Sequence, residues 1–134
     1  MNREELVAVA RDAAKNAYSP YSRFRVGAVV VAEDGRVYTG ANIENAAFPS
    51  SNCGEATAIH TAAADGVRKI DTLAVACIDA TDVRGAYPCG RCRQIMAEFG
   101  VDDVIVAGGE GSEIREHTLD ELLPHRFTFR SDAH

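Results

Sequence analysis

Two short motifs, far apart in the chain, constrain its fold more than any other feature. Cys53-Gly54-Glu55 is the first, and Pro88-Cys89-Gly90-Arg91-Cys92 begins 35 residues after Cys53. Cys89 and Cys92 are three apart, a spacing that on a helix sets two thiols on one face, where they can chelate one ion. Cys53 can supply a third thiolate, and the fold must then carry the two segments together. Glu55 is two residues from Cys53, a spacing that does not share a helical face, so its carboxylate would sit beside an ion without being a fourth ligand. Three protein ligands with an open position are how a catalytic zinc is held, whereas a structural zinc normally takes four. A neighbouring carboxylate can then carry the proton of water activated at the metal. The expected chemistry is hydrolysis.

The intervening sequence says how such a convergence is built. Asn2 with Glu5 forms a capping box, opening a helix through about Ala17 with Leu6, Val9, Ala10, Ala13 and Ala17 on one face. Ser19-Pro20-Tyr21-Ser22 breaks it. Phe24 to Ala32 is rich in Val and reads as a strand, Asp34-Gly35 as a hairpin turn, and Arg36 to Ala41 as the returning strand. Residues Ala56 to Ala64 read as a helix stopped at Gly66, and Leu73 to Ile78 as a buried strand. Pro88 suits the first turn of a helix running to Phe99 and stopping at Gly100. Val104 to Ala107 and Ile114 to His117 read as strands. A capping box at Thr118 and Glu121 opens a last helix, Leu119 to Leu123, closed by Pro124. This order predicts an α/β fold with three α-β-α layers around a mixed five-stranded sheet. Both ligand segments then fall at helix N-termini, whose dipoles oppose the negative charge of a thiolate cluster and depress thiol pKa values.

Bulk properties narrow the function. A chain of 134 residues is expected to be one domain, 1–134, burying about two thirds of its unfolded surface. The 46% hydrophobic and 25% charged content is that of an ordinary globular protein. No apolar run approaches the roughly 20 residues that span a bilayer, so no membrane partner is expected. The start, Met1-Asn2-Arg3-Glu4-Glu5, lacks the features of a signal peptide, which predicts a cytoplasmic protein with reduced thiols. There, four cysteines point to metal or catalysis rather than disulfides. The formal charge is −6, with no basic cluster of the kind a polynucleotide binder shows. Any nucleic-acid-like substrate is therefore expected to be a free, uncharged nucleoside or base rather than a polynucleotide.

The chain resembles the small, homotetrameric, zinc-dependent cytidine deaminases. The Cys-x-Glu and Pro-Cys-x-x-Cys pair is the zinc-deaminase signature. Family-like segments also include 20–28 (Pro-Tyr-Ser-Arg-Phe-Arg-Val-Gly-Ala), 40–46 (Gly-Ala-Asn-Ile-Glu-Asn-Ala), 88–94 (Pro-Cys-Gly-Arg-Cys-Arg-Gln) and 121–124 (Glu-Leu-Leu-Pro), which together span nearly the whole chain. The resemblance implies that Cys53, Cys89 and Cys92 bind one zinc per subunit. It implies that Glu55 moves protons between water, ring N3 and the departing amine. Asn42 and Glu44 would hold the ribose 3′-hydroxyl, Phe24 would stack on the pyrimidine, the Gly54 backbone would meet O2 and the Tyr87 carbonyl would hold the amino group. Phe127 would reach into a neighbouring subunit's site.

The match has departures. Relatives most often read Cys-Ala-Glu-Arg, with an arginine that donates to the thiolates; here the positions are Gly54 and Ala56. Arg91, between two ligands, would compensate the charge, against the alternative of an idle surface arginine. Phe48 replaces a common tyrosine and loses a hydroxyl near the sugar. Other readings stay open: a structural site with Cys77 as fourth ligand, although Cys77 lies in an apolar strand; a redox pair at Cys89/Cys92, which explains neither Cys53 nor Glu55; a deaminase of another aminopyrimidine nucleoside such as blasticidin S; and a zinc-stabilised interaction module without catalysis. Asn42 and Glu44 alone would be turn residues, Phe24 core, and Phe127 and Phe129 caps on the sheet. His60 reads as packing or solvated, and His117, His125 and His134 as surface residues.

Overall fold

Asn2 accepts the Glu5 amide at 2.8 Å while the Glu5 carboxylate accepts the Asn2 amide at 3.0 Å, so the capping box expected from sequence closes and starts the first helix. A computed structural model describes residues 1–129; His134 lies outside them. The elements run α1 (Arg3–Ala14), β1 (Val26–Ala32), β2 (Val37–Ala41), α2 (Gly54–Ala64), β3 (Ile70–Cys77), α3 (Gly90–Glu98), β4 (Asp103–Ala107), β5 (Ile114–Thr118) and α4 (Leu119–Leu122), with 3₁₀ turns at Phe48–Ser50 and Val83–Ala86. The sheet order is β2-β1-β3-β4-β5, and β3–β4 is the parallel pair in an otherwise antiparallel set. The expected order of elements and the mixed five-stranded sheet are both present.

Side-chain alternation with period two divides the core. Val29, Ala74, Ala76, Ile105 and Ala107 turn to one face and pack with Leu6, Val7 and Ala10 of α1. Ala28, Val30, Leu73, Val75, Cys77, Val104 and Val106 turn to the other, where Ile59 and Ala62 of α2 and Met96 and Ala97 of α3 cover them. Each large side chain buried there contributes about 1.5–3 kcal/mol. That second face therefore fixes where α2 and α3 begin, and with them the ligand segments. Two glycines let the helices approach the sheet closely: a methyl group at Gly27 would run into the backbone of Ala10 and Ala14, and one at Gly40 into the backbone of Thr57 and Ala58.

Boundaries shift where tertiary bonds take over the backbone. Helix α1 stops at Ala14 instead of Ala17, because Asn16 and Ala17 donate to the carbonyls three residues back. Tyr18 then donates to the Asn42 carbonyl at 2.9 Å and leaves the helix path. Strand β1 starts at Val26 rather than Phe24, since the Phe24 amide goes to Ser22 Oγ and the Arg25 amide to Asp79. Strand β3 begins at Ile70, three residues earlier than Leu73, through pairing of Ile70 with Ala32 and Thr72 with Val31.

Candidate active site

Cys53 is the N-cap of α2 and Cys89 the N-cap of α3, both in extended backbone, and neither side chain caps its helix. Ser, Thr, Asp or Asn would be the stable choice there. Cysteine leaves first-turn amides and the positive ends of two dipoles beside the thiols. Cys92 lies in the first turn of α3, and the sulfurs of Cys53, Cys89 and Cys92 all lie within 4.8 Å of one another. Sulfurs bound tetrahedrally to zinc at about 2.3 Å would stand about 3.8 Å apart, so the triad fits the ion with little movement. Cys92 is buried, Cys89 exposed and Cys53 between them, while Cys77 is buried in the β3 core and is not part of the group.

The triad is electrostatically prepared for a cation. A hydrogen bond with Cys92 is the largest influence lowering the Cys53 thiol to about 6; Cys89 and the charge and hydrogen bonding of Arg91 act in the same direction, while burial opposes them. Cys92 moves the other way, raised first by its hydrogen bond with Cys53 and then by burial. Arg91, which follows Cys89 by two residues, donates to Asn52 Oδ1 at 3.1 Å. Ala56 is fully buried, and its methyl side chain offers the thiols neither a donor nor a charge.

Glu55, in the first turn of α2, is only 4% exposed. Burial raises its carboxyl to about 7; the Cys53 charge adds to the rise and its own backbone amide opposes it. A carboxyl balanced near neutrality can both accept and return a proton.

Glu55 opens on a cavity of about 280 Å³ that is also lined by Phe24, Asn42, Glu44, Cys53, Gly54, Tyr87 and Cys89, together with Ser22, Val26, Gly85 and Ala86. Seven residues singled out in the sequence for metal, proton or base and sugar contacts thus meet Glu55 in one place. Phe127 does not: it is 69% exposed, lies outside this lining, and its carbonyl accepts from Gln94 at 3.2 Å. The Glu44 and Asn42 side of the cavity is tightly bonded. Glu44 Oε1 accepts the amides of Tyr21 and Ser22 at 3.0 and 3.1 Å, and Oε2 accepts the Ser22 hydroxyl. These bonds lower the Glu44 carboxyl, the Ser22 hydroxyl most. Asn42 accepts from the Val26 amide at 2.9 Å and donates to the Phe24 carbonyl at 2.8 Å. A second cavity of about 300 Å³ adjoins, sharing Ser22 and Glu44, and there Phe48 meets Tyr21 edge-on.

Several participants were not visible in the sequence reading. Asn52 and Asp79 carry no motif, and Ser22, though inside the family-like segment 20–28, has no role readable there; loop closure brings them to Arg91, Arg25 and Glu44. His117 is a correction: read as a surface residue, it is half-buried and its Nε2 lies 2.7 Å from the hydroxyl of cavity-lining Tyr87. The signal that could have found it is its place on a strand paired with buried β4, where it stands opposite Val104. His60 and His125 are exposed, as expected.

The comparisons with known proteins agree with this geometry. The family model for the cytidine and deoxycytidylate deaminase zinc-binding region matches residues 1–108. A cytidine deaminase of Sporosarcina psychrophila is 45% identical over 131 residues, 96% of this chain and 93% of that protein. One from Halalkalibacterium halodurans is 45% identical over 129 residues, 96% of each. The crystal structure of a Burkholderia pseudomallei cytidine deaminase superposes with a TM-score of 0.88 at 37% identity, covering 95% of this chain and all of that one. With the family model matching most of the chain, relatives 45% identical over nearly its full length and the same fold, the chain belongs to the zinc-dependent cytidine and deoxycytidylate deaminase family.

Proposed function

We propose that this protein catalyses the hydrolytic deamination of cytidine and 2′-deoxycytidine to uridine and 2′-deoxyuridine, releasing ammonia. The observation that carries the reading is a buried carboxyl, Glu55, in the wall of one cavity that is also lined by Cys53 and Cys89 of the three-thiol cluster and by the polar pair Asn42 and Glu44. Cys53, Cys89 and Cys92 would hold one Zn²⁺ per subunit. Bound there, the ion would supply Lewis-acid activation of water near neutral pH.

The chain's own groups account for the rest. Glu55 takes the proton of the water that adds to C4 and delivers it to N3. It then passes the second proton to the amine, which leaves as ammonia. Phe24 stacks on the ring, the Gly54 backbone meets O2 and the Tyr87 carbonyl accepts from the amino group. A carboxylate offers about four acceptor positions, and three on Glu44 are already filled. Asn42 likewise keeps one N–H and one lone pair. The pair can satisfy one sugar hydroxyl well, the 3′-hydroxyl, and has little left for a second. A missing 2′-hydroxyl therefore costs little, which is why both nucleosides are included.

Three further parts belong to this reading. Residues 1–134 act as one catalytic domain. The enzyme works in the cytoplasm, where its free thiols stay reduced; among the described residues no helix is long and apolar enough to cross a membrane. It is a homotetramer with shared sites, supported by the exposure of Tyr21, Phe48 and Phe127 at 50, 66 and 69%. The burial of Glu55 disfavours a zinc-stabilised interaction module, which would have no use for a carboxyl held at this cost. One assay tests the reading: loss of cytidine absorbance on adding enzyme, beside 2′-deoxycytidine, adenosine, guanine and blasticidin S. Turnover of the first two alone is expected. Turnover of blasticidin S alone would replace the substrate.

A further inference from the structure

The hydrogen bonds around Asn52 run in one direction and end on a cation. Thr57 Oγ1 donates to the Cys53 carbonyl at 3.0 Å, one turn back along α2. Its single proton is then committed, so toward Asn52 the hydroxyl can only accept. Asn52 Nδ2 supplies that donor at 3.2 Å, which turns the amide oxygen the other way. Asn52 Oδ1 receives Arg91 Nη2 at 3.1 Å. The chain therefore links the backbone of one ligand, Cys53, to the side chain standing between the other two, Cys89 and Cys92. The backbone of Asn52 is already occupied with Ile43, donating at 2.8 Å and accepting at 2.9 Å, so the segment's path does not depend on this amide.

Three thiolates around a divalent cation leave one net negative charge, and Glu55 places a carboxyl close by. A nearby fixed cation lowers the cost of that charge, but an exposed arginine has many rotamers and is useful only if held. We propose that Asn52 is a positioning residue whose side-chain oxygen holds the Arg91 guanidinium against the three-thiol cluster, with Thr57 fixing the orientation of the Asn52 amide. The inference rests on the metal-site reading above.

The test is zinc release from the loaded protein to a competing chelator, measured without substrate. Asn52→Ala and Arg91→Ala are expected to release zinc about 10- to 100-fold faster, the range for partners one shell out from a metal. The double variant should match Arg91→Ala to within about twofold, because both changes remove the same interaction. Arg91→Gln, which can still donate to Asn52 but carries no charge, should behave like Arg91→Ala. Thr57→Ser should release zinc like the wild type and Thr57→Val faster, a comparison that stands in if Asn52→Ala does not fold. Additive losses in the double variant would overturn the proposal, as would normal retention in Asn52→Ala or Arg91→Ala. Normal retention in Arg91→Gln would reduce the link to a neutral clasp and overturn the role of the charge. Failure to deaminate cytidine, with the coupled release intact, would remove the substrate reading and leave this one standing.

Discussion

Glu55 combines a helix-start position with near-complete burial, and its replacement separates chemistry from architecture. Glu55→Gln keeps the shape and removes the proton carrier. Turnover is expected to fall by at least about 10²–10⁴, the usual contribution of general acid–base catalysis, while metal analysis still finds one zinc per subunit. Near-normal turnover with full metal would exclude Glu55 from the reaction. Cys77 is the matching control. It is fully buried in the β3 core, and burial raises its thiol. Cys77→Ser should retain one zinc and substantial activity, with a lower thermal midpoint because a hydroxyl replaces a sulfur among apolar neighbours. Loss of the metal from a folded Cys77→Ser protein would revive a four-cysteine site. At this scale the sequence was informative wherever chemistry sits in local spacing. Cys53, Glu55, Cys89 and Cys92 are legible as motifs because helix geometry relates near neighbours. The partners of Ser22, Asn52 and His117 are not, because each lies in a segment 22, 39 or 30 residues away.

The segment entering β1 shows how elements convert such pairings into a site. Phe24 has its amide on Ser22 and its carbonyl on Asn42, and the next residue is clamped by Asp79, which accepts the Arg25 amide and both arms of its guanidinium at 2.8–3.0 Å. The Asp79 carboxyl lies below its ordinary value of 3.8, first because of the Arg25 side chain and then its backbone amide. A depressed carboxyl contributes stability above its unfolded pKa and loses it as pH falls through the native one. Asp79→Asn should therefore melt below the wild type at pH 7, and the gap should close as pH drops below 3.8. A gap that persists at lower pH would show that geometry rather than charge holds the clamp. If Phe24 stacks on the base as proposed, the same variant should raise KM for cytidine more than it lowers kcat, because it loosens Phe24 and leaves Glu55 alone. The helix over the site has its own sensitivity. Gly40→Ala sets a methyl group against the α2 backbone and is expected to cost about 1–3 kcal/mol in denaturant unfolding, with activity reduced as the Cys53 end shifts. Element types and order were readable from periodicity and caps. Ends were not, because propensity for a helix through Ala17 or a strand from Phe24 loses to side-chain acceptors that only the folded chain supplies.

For the whole molecule, the open question is what closes the cavity. Phe24, the proposed stacking surface for the base, lines the cavity and is itself 36% exposed, while Phe127, 69% exposed, stands outside the lining of its own chain's cavity. Tyr21 and Phe48 pack on each other at 5.6 Å and still leave an aromatic surface beside Ser22 and Glu44. An isolated subunit would leave this apolar area in water, and its cavity would stay wet where proton transfer benefits from water exclusion. A neighbouring copy that covered Tyr21 and Phe48 and inserted Phe127 would meet both needs, and under the proposed function the active site would then be a property of the assembly. Sedimentation should then give a tetramer, and a form held monomeric by charges at Phe48 and Tyr21 should keep zinc yet deaminate poorly. Complementation is the sharper measurement. Phe127→Ala subunits retain Glu55, and Glu55→Ala subunits retain the aromatic ring. After subunit exchange some sites pair an intact Glu55 with a donated Phe127, so the mixture should be more active than either parent. A mixture no better than its parents, with exchange confirmed by mass spectrometry, would assign Phe127 to its own chain and remove the shared site.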